Sequence, residues 1–245
     1  MKDPVSPGRD YLNIVGSMLE VLQEDRWPQI QAAAELIADA LGTDHDLHVF
    51  GSGHSHMLAE ELFYRAGGLV RVRPILDEGL MLHKDAARST ALERQPEMAD
   101  ALLADHPIRA GDLLVVASSS GSNAVASRLI QLVQPLGVRV IAITSLRHAT
   151  SSKARANDLP RVHELADLVI DNGGVVGDAA VEIPGFESRV GPTSTVVGAA
   201  ILNAVVAEVV QLLVSRGTPP DVYASSNVEG GDATNAALMR AAGLR

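Results

Sequence analysis

The stretch that decides the fold runs Leu47-His48-Val49-Phe50-Gly51-Ser52-Gly53-His54-Ser55-His56. Its first four residues form a short apolar run that predicts a buried β-strand. The residues that follow, with two glycines and two serines, predict a turn that leads into a helix ending near residue 66. A strand, a turn and a helix in this order are the repeating unit of an α/β sheet.

The same unit recurs along the chain after this stretch. Further strands are predicted at residues 70–76, 113–117, 138–143 and 168–171, with helical patterns between them, most clearly at 123–136. This alternation predicts a five-stranded parallel sheet with helices on both faces and right-handed crossovers. We expect one domain over residues 1–245. It comprises a helical hairpin at 1–44, an α/β core at 45–215, and a C-terminal loop and helix at 216–245. Within the core, residues 172–192 are predicted to form a loop and 193–215 a long helix.

Composition excludes several classes of protein. The 245 residues are 47% hydrophobic and 20% charged, which is typical of a globular chain rather than a disordered one. The net charge of −10 disfavours nucleic acid and anionic membrane surfaces as partners. The absence of cysteine excludes disulfides and thiolate chemistry, and with a charged start it favours the cytoplasm. Residues 196–215 could imitate a membrane span, but Asn203, Glu208 and Gln211 interrupt them, so a buried helix is expected.

Two turns of the predicted sheet are candidates for ligand binding. Ligands of such sheets lie beyond the carboxyl ends of the strands, where helix N-termini present free N–H groups. The turn after the third strand carries four hydroxyls around a glycine, at Ser118, Ser119, Ser120 and Ser122. Backbone N–H groups and hydroxyls can hold a phosphate without lysine or arginine, although a serine-rich turn with a helix cap is the simpler interpretation. A nicotinamide dinucleotide is disfavoured because His56 stands where the third glycine of that motif is needed.

With these turns, the chain resembles the SIS (sugar isomerase) domain family. The resemblance is carried by residues 51–55, by Ala59-Glu60-Glu61-Leu62 and by residues 118–123. It is strongest toward the branches of phosphoheptose isomerase and N-acetylmuramic acid 6-phosphate etherase, and toward a group of stand-alone SIS proteins. It implies a flavodoxin-like three-layer sandwich, binding of a small phosphorylated sugar, and a dimer or tetramer with sites at subunit interfaces.

The resemblance also implies roles for individual residues. Ser55, Ser118 and Ser120 are expected to contact phosphate or sugar, as are their neighbours Ser52, Gly53, Ser119, Ser122 and Asn123. Asn123 replaces a serine of the isomerase branch, with Ser122 as a substitute for it. The late-helix histidine of that branch is absent, since no histidine lies at residues 193–215.

Glu61 aligns with the glutamate that the isomerase branch uses as its base. The alternative from spacing alone is a surface ion pair with Arg65, four residues later. His54 and His83 are the candidate partner acids, and Glu78 is a further one, although each histidine could simply be a surface or loop imidazole. We predict no cofactor. His54, His56, Asp77 and Glu78 also form no complete set of metal ligands, so no metal is predicted.

The expected chemistry begins with removal of the C2 proton from an open-chain sugar phosphate. If C2 carries a hydroxyl, the enediol can be reprotonated at C1, giving aldose–ketose isomerisation. If C2 carries an acetamido group, the anion can instead expel the C3 substituent, which is β-elimination. Because the late-helix histidine is missing, we favour a lyase or dehydratase acting on an N-acetylhexosamine 6-phosphate, such as N-acetylglucosamine 6-phosphate. An isomerase and a non-catalytic phosphosugar sensor remain the alternatives.

Overall fold

The computed structural model describes residues 6–151 and 158–244. Five parallel strands form the central sheet in the order β2-β1-β3-β4-β5, which confirms the predicted α/β class. The strands are β1 (Leu47–Gly51), β2 (Val72–Ile75), β3 (Leu113–Ala117), β4 (Arg139–Thr144) and β5 (Leu168–Asp171). The longer helices are α1 (Pro7–Glu24), α2 (Trp27–Gly42), α6 (Ala124–Val133), α9 (Ser194–Ser215) and α10 (Gly231–Ala241). The shorter helices are α3 (His56–Leu62), α4 (Ala86–Leu92), α5 (Met98–Asp105), α7 (Leu146–Ala149) and α8 (Val162–Leu165).

Helices cover the sheet on both faces, which gives two apolar cores. Side chains along β3 alternate between them: Leu113 and Val115 point to the core formed with α2, α3 and α9, whereas Leu114 and Val116 point to the core formed with α5 and α6. A strand sends successive side chains to opposite faces, so an uninterrupted apolar run is what a sheet covered on both faces requires.

The long helix α9 is a core element. Its length and its mean hydropathy of 2.1 would suit a membrane span. In the structure, however, it packs on α2 and α3, and eight of its residues are buried, as predicted. At Gly198 the packing is so close that a Cβ would lie 2.7 Å from Leu58 Cδ1. The apolar character of α9 therefore serves the interior of the fold.

A buried polar cluster lies at the amino-terminal edge of the sheet, opposite the two candidate turns. The carboxylate of Asp112 accepts hydrogen bonds from the backbone N–H groups of Asp46 (3.0 Å) and Arg109 (2.9 Å), and lies 3.2 Å from His48 Nε2. Burial lowers the pKa of His48, although its contact with Asp112 opposes that shift. Burial therefore disfavours the protonated form of His48 inside the fold.

Several predicted boundaries were wrong. The helix after the first turn ends at Leu62 instead of near residue 66, because Phe63 is extended and Tyr64 has a positive φ of 45°. Strand β2 is shorter than the predicted range of 70–76. Residues 172–192 are not wholly a loop, since β6 (Ala179–Val181) and β7 (Val190–Pro192) pair there as an antiparallel ribbon. Helices α4 and α5 lie between β2 and β3, where a helical pattern was predicted without bounds.

Candidate functional site

The two predicted turns meet at the carboxyl edge of the sheet. Strands β1 and β3 are neighbours, with Gly51 opposite Ala117, so the turns that follow them lie side by side. A cavity of about 670 Å³ opens between them. Eight of the predicted site residues line it: Ser52, His54, Ser55, Ser118, Ser119, Ser120, Ser122 and Asn123. The structure thus brings together most of the residues selected from sequence.

The serine turn presents hydroxyls and a helix N-terminus to this cavity. The Ser122 hydroxyl donates to Ser120 Oγ over 3.1 Å, and Gly121 holds the turn with a positive φ of 62°. The Oγ of Ser119 is buried and has no hydrogen-bond partner among the residues that the structure describes. A buried hydroxyl without a partner costs free energy, so this group is poised to bind a ligand oxygen or a water molecule.

Asn123 connects the serine turn to the first turn. Its Oδ1 accepts from the backbone N–H of Ala126 (3.0 Å), which caps the N-terminus of α6. Its Nδ2 donates to Ser52 Oγ (2.6 Å) and to Glu93 Oε2 (3.1 Å). Asn123 therefore holds the two turns and Glu93 together. The sequence analysis noted that Asn123 replaces a serine of the isomerase branch but did not predict these contacts.

Glu93 lines the cavity and was missed by the sequence analysis. Besides the bond from Asn123, its Oε2 accepts a hydrogen bond from Ser52 Oγ over 2.9 Å. Its carbonyl also accepts from the backbone N–H of Val125 (3.3 Å), and its neighbour Arg94 lines the same cavity. Glu93 follows α4 in a polar stretch with no motif, so no local signal in the sequence marked it.

Three further residues of the cavity lining were also missed. They are His148, Asp178 and Ser194. Asp178 Oδ1 accepts from the backbone N–H groups of Thr193 (3.0 Å) and Ser194 (2.9 Å), while Oδ2 accepts from Ser194 Oγ (2.6 Å). This carboxylate therefore caps α9, where a negative charge is favoured by the helix dipole. Burial lowers the pKa of His148, against the opposing charge of Asp178.

Four predicted residues lie outside the lining of the cavity, namely Gly53, Glu61, Glu78 and His83. Glu61 forms the ion pair with Arg65 and accepts a hydrogen bond from Asn203 Nδ2 on α9 (2.7 Å). Glu78 is 76% exposed and pairs with Lys84. His83 is exposed, with its ring centroid 6.5 Å from that of His56. The roles assigned to Glu61, Glu78 and His83 stay predictions.

No candidate metal centre is found in the described part of the chain. Across residues 6–151 and 158–244, no three histidine, aspartate or glutamate side chains come together in an arrangement that could hold a metal ion. The polar side chains that line the cavity are seven serines, Asn123 and five ionisable residues, namely His54, Glu93, Arg94, His148 and Asp178. The hydroxyls and the amide are typical contacts for a phosphate or a sugar.

Comparison with known proteins adds family information to this geometry. A family model described as the SIS domain matches residues 10–145. A UPF0309 protein of Listeria monocytogenes is 41% identical over 94% of this chain and 93% of its own length. Another, of Halalkalibacterium halodurans, is 39% identical over 94% and 92%. A phosphoheptose isomerase structure from Francisella tularensis has a TM-score of 0.55, with 16% identity over 83% of this chain and 96% of that one, which is a likeness of fold.

Proposed function

This chain belongs to the SIS domain family, and we propose that it is an enzyme that binds a small sugar phosphate in the cavity between its two turns. The family resemblance drawn from those turns is thereby confirmed. The observation that supports the proposal most directly is the serine turn itself. Four hydroxyls, one of them buried and without a partner among the described residues, lie beside the N-terminus of α6, where the helix dipole favours a phosphate dianion.

The charges that line the cavity favour one orientation of the sugar phosphate. Glu93 and Asp178 disfavour an anion beside them, and Arg94 is the cation in the same lining, whereas the serine turn carries no charge. The phosphate would therefore bind at the serine turn, with the carbon chain directed toward the carboxylates. Hydroxyl groups of a sugar can donate hydrogen bonds to carboxylate oxygens, which a second phosphate could not do.

For the reaction, we propose β-elimination from an N-acetylhexosamine 6-phosphate after removal of the C2 proton. This chemistry needs a carboxylate base within reach of C2, a bound phosphate and a group that protonates the leaving oxygen. It does not need the late-helix histidine of the isomerase branch, which α9 lacks. His54 and His148 line the cavity and are the available imidazoles for the leaving group.

A ligand panel tests the binding step. The melting temperature is measured with N-acetylglucosamine 6-phosphate, glucose 6-phosphate and sedoheptulose 7-phosphate, each beside its unphosphorylated sugar. A ligand at about 100 times its Kd stabilises the fold by roughly 2.7 kcal/mol, so a binder is readily detected. We expect stabilisation by a phosphorylated sugar only, and a weaker effect in Ser119→Ala. Equal stabilisation by the free sugars would refute the phosphate site.

Product analysis then separates the two reactions. Elimination yields an unsaturated product that absorbs in the ultraviolet and releases water from C3. Isomerisation yields a ketose with no new absorbance. A ketose as the sole product would show that the enzyme is an isomerase, and binding without either product would favour a sensor.

A further inference from the structure

A second cleft, separate from the serine-lined cavity, opens beside the ribbon of β6 and β7. Its volume is about 430 Å³, which lies within the usual range of ligand pockets. The residues that line it are Arg147, Ser151, Val175, Val176 and Arg189. No described residue lines both this cleft and the cavity. The cleft is therefore a distinct place on the molecule, which the proposed function does not use.

The side chains of the cleft come from distant parts of the chain. Arg147 is the second residue of α7, the two valines precede β6, and Arg189 directly precedes β7. His148, the next residue of α7, lines the cavity instead. Consecutive residues of a helix point about 100° apart, so α7 presents one side chain to the cleft and the next to the cavity.

The cleft is positively charged, although the chain has a net charge of −10. Both guanidinium groups stay protonated at neutral pH, and no carboxylate of the described residues lines the cleft. Arg189 forms an ion pair with Glu182. Arg147 is exposed and forms no ion pair within residues 6–151 and 158–244. One of the two positive charges is thus neutralised, and the other is not.

The carboxylates that lie next to these segments are bound elsewhere. Asp171 accepts a hydrogen bond from the backbone N–H of Leu146 (3.0 Å), but its other oxygen pairs with Arg26 (3.4 Å). Both oxygens of Asp178 accept hydrogen bonds from the first residues of α9 and the residue before it. Arg147 therefore keeps its hydrogen-bond donors for a ligand.

We propose that this cleft binds a small aliphatic carboxylate, with the charged group between the two arginines and the carbon chain on the two valines. A guanidinium can donate two parallel hydrogen bonds to a carboxylate, and such charge-assisted bonds are stronger than neutral ones. Because a guanidinium has five N–H donors, Arg189 can bind a ligand while it contacts Glu182. Val175 and Val176 are half-buried and present aliphatic surface to the cleft.

The charge of the cleft favours a monoanion over a phosphate dianion. One unneutralised guanidinium balances one carboxylate, whereas a dianion would bring an excess negative charge to an acidic chain. Inorganic phosphate also has no carbon chain to pack on the valines. Phosphate is therefore the probe that separates the two kinds of anion.

NMR of the arginine side chains tests the site in the whole chain. The Nε–Hε signals of Arg147 and Arg189 are assigned from their glutamine variants. They are then followed in titrations with 3-methylbutanoate, acetate and inorganic phosphate, with sodium chloride keeping the ionic strength constant. Arg240→Gln is the matched control, because Arg240 is an exposed arginine on α10 without an ion pair in the described chain.

We expect 3-methylbutanoate to shift both signals and to saturate. Acetate should bind at least about fourfold more weakly, the effect of one buried CH₂ group, and phosphate should also bind more weakly than 3-methylbutanoate. Arg147→Gln should weaken binding of 3-methylbutanoate by at least about tenfold, measured on the Arg189 signal, because charge-assisted hydrogen bonds are lost. Arg240→Gln should bind as the parent does.

Glu182 provides a test in the opposite direction, since it competes with the ligand for Arg189. Glu182→Gln should strengthen binding of 3-methylbutanoate by about two- to fivefold, in line with the strength of an exposed ion pair. A misfolded variant cannot produce this result, because the expected change is a gain of affinity.

Three outcomes would count against the proposal. Signals that do not saturate with 3-methylbutanoate, or equal binding in Arg147→Gln, would overturn the site. Tighter binding of phosphate than of 3-methylbutanoate at these signals would overturn the assignment to a carboxylate. A Glu182→Gln variant that binds no more tightly than the parent would refute the contact of the ligand with Arg189. The sugar phosphate cavity has a different lining, so its own test stands or fails separately.

Discussion

Asn123 performs two tasks that substitution can separate. Its Oδ1 caps α6, and its Nδ2 donates to Ser52 and Glu93. Loss of an N-cap costs roughly 1 kcal/mol. A hydrogen bond to a charged group contributes about 1.5 to 3 kcal/mol when buried, and roughly 1 kcal/mol is reasonable for these half-buried partners. Asn123→Ala, which loses both tasks, should therefore lower the free energy of unfolding by about 2 to 3 kcal/mol.

Asn123→Ser provides the comparison, because serine is a good N-cap but cannot replace the amide donor. It should recover about 1 kcal/mol relative to the alanine variant. Equilibrium urea denaturation measures the free energy of unfolding of both variants. If the slope of this free energy against urea concentration is unchanged, the midpoints compare the stabilities directly. If the serine and alanine variants unfold at the same urea concentration, the cap contributes nothing. If the alanine variant is as stable as the parent, neither set of contacts stabilises the fold.

Two further predictions concern the interior. Burial lowers the pKa of His48 in the folded chain below its ordinary value of 6.5. As the pH drops below 6.5, the unfolded chain therefore takes up a proton at this residue more readily than the folded chain, and the free energy of unfolding should fall. His48→Gln should flatten that dependence in urea denaturation while His83→Gln, at an exposed site, leaves it unchanged; an equal slope in all three would be contrary evidence. Ile201→Ala, at a fully buried site on α9, should cost about 2 to 5 kcal/mol. Val214→Ala, on the exposed face of the same helix, should cost under roughly 0.5 kcal/mol, and similar losses at both sites would contradict the core packing described here.

The sheet and the two turns could be predicted because each is encoded locally. Short apolar runs between helical patterns indicate buried parallel strands, and the carboxyl ends of neighbouring strands meet at one edge. Gly51 illustrates how strong this encoding is, since a Cβ there would collide with the Ser55 carbonyl. The sequence therefore predicted which turns would meet.

The rest of the cavity depends on contacts between distant parts of the chain. Glu93 bonds to Ser52, 41 residues earlier, and to Asn123, 30 residues later. Asp178 reaches the cavity through a ribbon that the glycine-rich composition of residues 172–192 did not predict. Periodicity and spacing in the sequence do not predict such contacts. The contacts form because the connections between strands bring distant polar segments together in the fold. The Glu61–Arg65 pair shows the reverse case, in which local spacing correctly indicated the contact.

The distribution of charge in the cavity bears on how this acidic chain would bind and orient the proposed sugar phosphate. With a net charge of −10, the chain repels a dianion at long range, so binding depends on groups within contact distance. Hydroxyls and the α6 N-terminus provide such groups at the serine turn, without the long flexible side chain of a lysine. Glu93 and Asp178 disfavour phosphate beside them and suit hydroxyls, although Arg94 also lines the cavity. For the proposed sugar phosphate, an uncharged serine turn and two carboxylates thus favour the orientation with the carbon chain against the carboxylates.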